Sequence, residues 1–166
     1  MILSKGNFMQ QHDDVGFLLP DNQNVSDIYQ FVSDLISKDK KNQYVCFSHT
    51  NQKNYAGFGV PILSITECRF FYGTLWVFDD QSLRICKNFP NLKKIYYYLT
   101  DIPWKQTPDI NHFDLRSLYE ENVKINVITK TSNLHNAYHN CWNKQPIGIM
   151  EKLNHENFQR LVLVPE

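Results

Sequence analysis

The sequence predicts an α/β fold, with a Rossmann-like parallel sheet and helices packed on both of its faces. Two observations support this prediction: short apolar runs recur along the chain, and amphipathic helical stripes separate several of them. Signals for tight hairpins between the runs are few. An apolar strand, a helix and a second apolar strand are typical of a βαβ unit, whose crossover makes the two strands parallel. Strands that are apolar throughout further indicate a sheet that is covered on both faces.

The opening third of the chain contains the clearest βαβ pattern. The apolar run 15–19 (VGFLL) stops at Pro20, and a polar segment follows it. The next apolar residues have the i, i+3, i+4, i+7, i+8 spacing of one helical stripe, and Asn24 or Ser26 can cap that helix. The run 44–47 (YVCF) then predicts the second strand. The stripe consists of Ile28, Phe31, Val32, Leu35 and Ile36.

The rest of the chain repeats these two patterns. Its predicted strands are residues 62–65, 75–78, 95–99, 123–128 and 161–164. Its predicted helices carry the apolar residues Leu83, Cys86 and Phe89, then Leu115, Leu118 and Tyr119, and finally Leu134, Ala137, Tyr138, Cys141 and Trp142. Residues 1–11 show no sustained period and are expected to form an irregular tail. The length of 166 residues fits one domain spanning residues 1–166.

Composition and charge narrow the functional classes. Lysine plus arginine equals aspartate plus glutamate at 17 each, so no global field draws the chain to nucleic acid or to an anionic membrane. No stretch approaches the ~20 apolar residues that a membrane-spanning helix needs. The four cysteines form no CxxC pair, which favours buried thiols and a reducing compartment. We therefore expect a cytoplasmic protein without membrane contact.

Polar residues that directly follow the predicted strands are the candidate ligand-binding residues. In parallel sheets, ligands bind in the crevice at the carboxyl ends of the strands. Asp101 follows the tyrosine-rich strand 95–99, where it is either a functional carboxylate or a residue that caps the turn before Pro103. Trp104 is expected to be exposed and to face a ligand. The other candidates are Asp21, Asn22, Asp79, Thr131 and Ser132.

Other kinds of site receive less support. His135 and His139 lie four residues apart on a predicted helix, with Cys141 nearby, but no carboxylate completes a known metal signature. We therefore expect no metal site. The chain has neither a GxGxxG nor a GxxxxGK[ST] motif, so we expect it to bind no nucleotide cofactor by itself.

Three segments resemble a known family. The stretch KIYYYLTDIPW at residues 94–104 resembles a strand and loop in the amino-terminal lobe of phage DNA β-glucosyltransferases, which have the GT-B architecture of two Rossmann-like lobes. FFYG at residues 70–73 and VKINVITKTSNLHNAYHN at residues 123–140 are similar to family segments in the same order. The resemblance implies that Asp101 is a catalytic general base that faces the acceptor, because inverting sugar transfer needs a carboxylate there.

The resemblance covers the amino-terminal lobe alone, and this shapes the expected partners. In GT-B enzymes the second lobe holds most of the nucleotide-sugar donor, so this chain is expected to need a donor lobe from a protein partner. Phage DNA is the acceptor that the resemblance implies, although the balanced charge gives DNA binding no support. The compartment is then the host cell cytoplasm. The alternatives are a non-catalytic phage module that binds a partner or forms a homo-oligomer, and a fold-level likeness with another function.

Overall fold

Seven parallel strands form one sheet in the computed structural model, which describes residues 14–20, 26–39, 42–49, 62–105 and 112–162. The strands are β1 (Val15–Leu19), β2 (Tyr44–Ser48), β3 (Ile62–Ser64), β4 (Gly73–Val77), β5 (Leu92–Leu99), β6 (Ile125–Thr129) and β7 (Gly148–Ile149). Their order in space is β3-β2-β1-β4-β5-β6-β7, and each neighbouring pair runs parallel. The predicted Rossmann-like α/β fold is therefore confirmed.

Helices cover both faces of this sheet. They are α1 (Ser26–Lys38), α2 (Ile65–Cys68), α3 (Asp80–Cys86), α4 (His112–Arg116), α5 (Ser132–Trp142) and α6 (His155–Val162), with a 3-10 turn at Pro103–Lys105 and a π-helical turn at Ser117–Glu121. Phe31 of α1 and Phe158 of α6 are buried on one face, which we call the front face. Buried residues of α2, α3, α4 and α5 pack on the opposite face, the back face.

Side chains alternate between the two faces along each central strand, because successive residues of a strand point in opposite directions. On β5, Tyr96 and Tyr98 belong to the front cluster, whereas Tyr97 and Leu99 belong to the back cluster. Trp76 of β4 is fully buried on the front face, where its ring centroid lies 5.2 Å from that of Tyr96. The tyrosine-rich strand therefore fills two separate cores.

The strand order reverses between β1 and β4. The chain passes from β1 through α1 to β2 on one side, whereas β4 pairs with the other side of β1 and begins the series that continues to β7. In open parallel sheets this reversal is the topological switch point, where the connections diverge and leave a crevice beyond the carboxyl ends of the strands. The fold therefore places a crevice beyond Leu19 and Val77.

The predicted strand at residues 161–164 is wrong for the residues that the structure describes. Leu161 and Val162 form the last turn of α6, and residues 163–166 lie outside the described ranges, as do residues 1–11. The helix is capped by Asn154, whose Oδ1 accepts a hydrogen bond from the backbone N–H of Asn157 at 2.8 Å. Leu161 packs against the front cluster. A short apolar run has no period of its own, so it does not distinguish a strand from a helix end.

Two smaller expectations also need correction. Ile65 begins α2 instead of ending a strand, because Ser64 and Glu67 form a capping box around the helix start. Cys141 is exposed, unlike the buried thiols of Cys46, Cys68 and Cys86. Within the described ranges, no helix combines the length and the apolar character needed to cross a bilayer.

Substituting Gly73→Ala should destabilise the protein strongly. The backbone of Gly73 has a φ of +152°, and an added Cβ would lie 2.3 Å from the carbonyl oxygen of Asp14. We expect the free energy of unfolding in urea to fall by roughly 2–4 kcal/mol. Gly148→Ala is the matched control: its Cβ would meet the flexible end of Leu161 at 2.5 Å, and we expect a loss of roughly 1 kcal/mol. Equal losses in the two variants would contradict the backbone constraint at Gly73.

Candidate functional site

A cleft of about 480 Å³ opens at the topological switch point on the front face of the sheet. One wall is the first part of α1, and the other consists of the residues that follow β5, β6 and β7. The cleft therefore lies at the carboxyl edge, where ligands of parallel sheets bind. The lining residues are Pro20, Asp27, Ile28, Gln30, Phe78, Tyr98, Thr100, Lys130, Glu151, Lys152 and Leu153.

Backbone hydrogen bonds fix the wall that follows the strands. The N–H of Lys130 donates to the carbonyl oxygen of Leu99 at 2.9 Å, and the N–H of Met150 donates to that of Thr129 at 2.9 Å. These bonds continue the sheet pairing beyond the strand ends, so Thr100, Lys130 and the residues after Met150 lie in adjacent rows. Three separate connections are thereby held at one edge of the cleft.

Phe78 and Tyr98 are the aromatic residues that line the cleft, and both are buried. The Tyr98 hydroxyl donates a buried hydrogen bond of 2.8 Å to the carbonyl oxygen of Met150, which ties β5 to the loop that carries Glu151 and Lys152. Burial, with a smaller contribution from the Asp27 carboxylate, raises the pKa of Tyr98 to about 12. The phenol therefore stays protonated near neutral pH and remains a donor.

Charged groups stand on both walls of the cleft. Asp27 comes from the first turn of α1, while Lys130, Glu151 and Lys152 come from the opposite wall. Carboxylates accept hydrogen bonds from hydroxyl or amino groups, and ammonium groups donate to anions and carbonyls. With the aromatic rings between them, these groups suit a small molecule that has a flat or ring-shaped body and polar substituents.

Three of the sequence-predicted site residues miss the cleft by one position. Phe78, Thr100 and Lys130 line it, whereas their immediate successors Asp79, Asp101 and Thr131 do not. The cause is the alternation of the strands: on β4, on β6 and on β5 from Ile95 onward, even-numbered residues point to the front face and odd-numbered residues to the back. The polar residues Asp79, Asp101 and Thr131 therefore lie at the same edge of the sheet as the cleft but do not line it, and their roles in ligand binding stay predictions.

Asp79 caps helix α3 on the back face. Its Oδ1 accepts from the N–H of Ser82 at 2.8 Å, and its Oδ2 accepts from the Ser82 hydroxyl at 2.7 Å. The Ser82 oxygen lies 2.8 Å from Nε2 of His49, so His49 is the donor because the serine proton is used. Ser82 is fully buried. This chain of bonds holds the start of α3 against the end of β2.

Asp101 is exposed at the end of β5. Its Oδ1 accepts a hydrogen bond from the N–H of Ile102 at 2.7 Å, a local contact of the kind expected for a turn residue. β5 pairs in parallel with both β4 and β6. The structure thus gives Asp101 the accessible strand-end position that the resemblance requires, and its catalytic role stays a prediction.

Thr131 and Ser132 lie at the start of α5. Thr131 is the cap residue, and its Oγ1 accepts from the N–H of Leu134 at 3.3 Å, while Ser132 is exposed in the first turn. Thr131 therefore has a structural role as the cap, and neither side chain lines the cleft. Asp21 and Asn22 lie outside the described residues.

Trp104 is partly buried instead of exposed. Its ring packs edge-on against those of Tyr119 and Trp142, each at 5.5 Å between centroids, on the back face. A role in substrate binding stays a prediction for this residue. Within the described ranges, no three histidine, cysteine, aspartate or glutamate side chains are placed to share a metal ion. His135 Nε2 instead lies 2.6 Å from the side-chain amide nitrogen of Gln145.

Comparisons with protein-family models, with curated proteins and with solved structures found no match to this chain.

Thr131→Ala should lower stability, and Ser132→Ala should not. The alanine at 131 leaves the N–H of Leu134 without its side-chain acceptor, so we expect the free energy of unfolding to fall by about 1 kcal/mol. Ser132 differs by one position and is exposed, and its substitution should change stability by less than about 0.5 kcal/mol. Urea unfolding measures both. The reverse order would contradict the assignment of Thr131 as the cap.

Proposed function

We propose that this chain is the acceptor-side lobe of a glycosyltransferase-like enzyme, and that the switch-point cleft binds a hydroxylated acceptor. The cleft itself carries the proposal, because it combines ring surfaces with hydroxyl-binding groups at the carboxyl edge of a parallel sheet. Sugars and nucleosides have both features: apolar ring faces that pack on aromatic side chains, and hydroxyls that need fixed acceptors. In this proposal a second lobe or partner chain holds the nucleotide-sugar donor.

The reaction requires a carboxylate close to the acceptor hydroxyl. A base within hydrogen-bonding reach takes the hydroxyl proton as the new sugar bond forms. Asp27 of α1 lines the cleft, whereas Asp101 is exposed just after the end of β5. We assign acceptor binding and proton removal to Asp27, and the sequence-based assignment of Asp101 is the competing one.

Neutral probes test acceptor binding in the cleft. We expect methyl β-glucoside or cytidine to shift the backbone amide signals of Ile28, Thr100, Lys130 and Leu153 in a two-dimensional ¹⁵N NMR titration. Signals around Trp104 should not move, because its ring packs on the back face. Shifts centred on the back face, or no shifts with either probe at tens of millimolar, would contradict the proposal.

Asp27→Asn should weaken binding of the better neutral probe. An amide keeps the size of the side chain but loses the charge that strengthens a hydrogen bond from the ligand hydroxyl, so we expect the Kd to rise roughly tenfold. Asp114→Asn, an exposed carboxylate on α4, is the matched control and should leave the Kd unchanged. If Asp101→Asn abolishes binding while Asp27→Asn does not, the carboxylate role belongs to Asp101.

A protein-binding module is the second candidate function, and one observation favours it. Phe70, Tyr72 and Val123 are 74%, 60% and 90% exposed, and each precedes a strand, so they lie at the amino edge of the sheet, away from the cleft. Lys93 lies 5.0 Å above the Tyr72 ring. Large apolar side chains that stay exposed often mark contacts between proteins.

Sedimentation velocity tests the second candidate in the form of self-association. If the amino edge joins copies of this chain, the wild-type protein should sediment as an oligomer, and the double variant Phe70→Ser, Tyr72→Ser should sediment as a monomer. A wild-type monomer across the micromolar range would contradict self-association and leave the acceptor-lobe proposal unaffected.

A further inference from the structure

Two lysines lie on one wall of the cleft. Lys130 directly follows β6, and Lys152 lies just beyond β7, the strand paired with β6. In the part of the chain that the structure describes, ion pairs are formed by Arg84 and Arg116, and neither lysine has a carboxylate within 4 Å. The two ammonium groups are therefore available to a ligand.

The backbone at both lysines is held in place. The N–H of Lys130 donates to Leu99, and the carbonyl oxygen of Lys152 accepts from the Asn157 side-chain amide at 3.0 Å. Met150, two residues before Lys152, is bonded through its N–H to Thr129 and through its carbonyl oxygen to the Tyr98 hydroxyl. Little backbone freedom remains to be lost on binding, which favours affinity at a small site.

The cleft has one acidic residue on each wall, but both of its lysines lie on the same wall. Asp27 stands alone on the α1 wall, whereas Glu151 shares the opposite wall with the two lysines. The lysine wall thus carries a net positive charge and the α1 wall a negative one. A ligand that satisfies both walls has an anionic group at one end and hydrogen-bond donors at the other.

We propose that the cleft binds a phosphorylated, hydroxylated ring compound, with the phosphate between Lys130 and Lys152 and a ring hydroxyl on Asp27. The ring lies against Phe78 and Tyr98. This inference rests on the proposed function, since it names the chemical class of the acceptor. Sugar phosphates and mononucleotides share this chemistry, and a nucleotide within a DNA strand also presents a phosphate beside a ring.

Matched ligand pairs test the phosphate contribution. We would measure the Kd of glucose and glucose 6-phosphate, of cytidine and cytidine 5′-monophosphate, and of inorganic phosphate, by NMR titration in low salt. The phosphorylated member of at least one pair should bind roughly tenfold more tightly, which is the gain expected from charge-assisted hydrogen bonds. That gain should shrink in 0.5 M NaCl, because salt screens the ammonium groups.

Charge variants test which lysines contribute to phosphate binding. Lys130→Met and Lys152→Met should each remove most of the phosphate advantage, measured within each variant as the ratio of the Kd values of the neutral and phosphorylated ligands. Lys38→Met, an exposed lysine at the end of α1, is the matched control and should retain the advantage. Glu151→Gln should tighten binding of the phosphorylated ligand, because it removes a repelling charge from the lysine wall.

The outcomes separate this inference from the proposed function. Equal Kd values for the neutral and phosphorylated members of both pairs would overturn the phosphate inference and leave acceptor binding intact. An advantage that survives both lysine substitutions would also overturn it, as would inorganic phosphate binding as tightly as the organic phosphates. If no ligand of either kind binds, the proposed function fails, and this inference fails with it. Preference for one pair decides between a sugar phosphate and a nucleotide.

Discussion

The structure depends on a parallel sheet whose two faces are both covered by helices. This constraint makes most residues of the central strands core residues on one face or the other, so Trp76 and Tyr97 fill different cores. Charged side chains are excluded from the buried parts of the strands, and several lie where the strands end. Since all strands run the same way, these ends meet at one edge, and the reversal of strand order beside β1 opens that edge into a cleft.

The two faces of this edge have different roles. On the back face, polar side chains form hydrogen bonds within the fold. Asp79 accepts hydrogen bonds from Ser82 at the start of α3, and the Tyr119 hydroxyl donates to Asp80. On the front face, the Tyr98 hydroxyl holds the loop after β7, and four charged residues line the cleft. A preorganised site next to a rigid strand end is suited to ligand binding, which is the basis of the acceptor-lobe proposal.

The sequence predicted the sheet well because apolar runs and helical stripes are direct consequences of burial. It predicted that candidate residues lie at the carboxyl edge of the sheet, but not which residues of that edge line the cleft. When both faces are apolar, nothing in YYYLTD states whether Thr100 or Asp101 turns toward the cleft, and a one-residue shift exchanges the faces. No sequence pattern predicted Lys152 as a candidate site residue, because the strand before it, β7, comprises only Gly148 and Ile149. Helix α6 does have a recognisable sequence pattern, since Asn154 is a capping residue and Phe158 and Leu161 have helical spacing.

The central claim is that the front face of the carboxyl edge, and not the back face, receives the ligand. Aromatic side chains report on the two faces separately, because Tyr98 lines the cleft and Trp104 packs on the back cluster. Intermolecular nuclear Overhauser effects with bound cytidine 5′-monophosphate measure this directly. Contacts between the cytosine ring protons and the Tyr98 ring are the predicted result. Contacts to the Trp104 indole, without any to Tyr98, would contradict it.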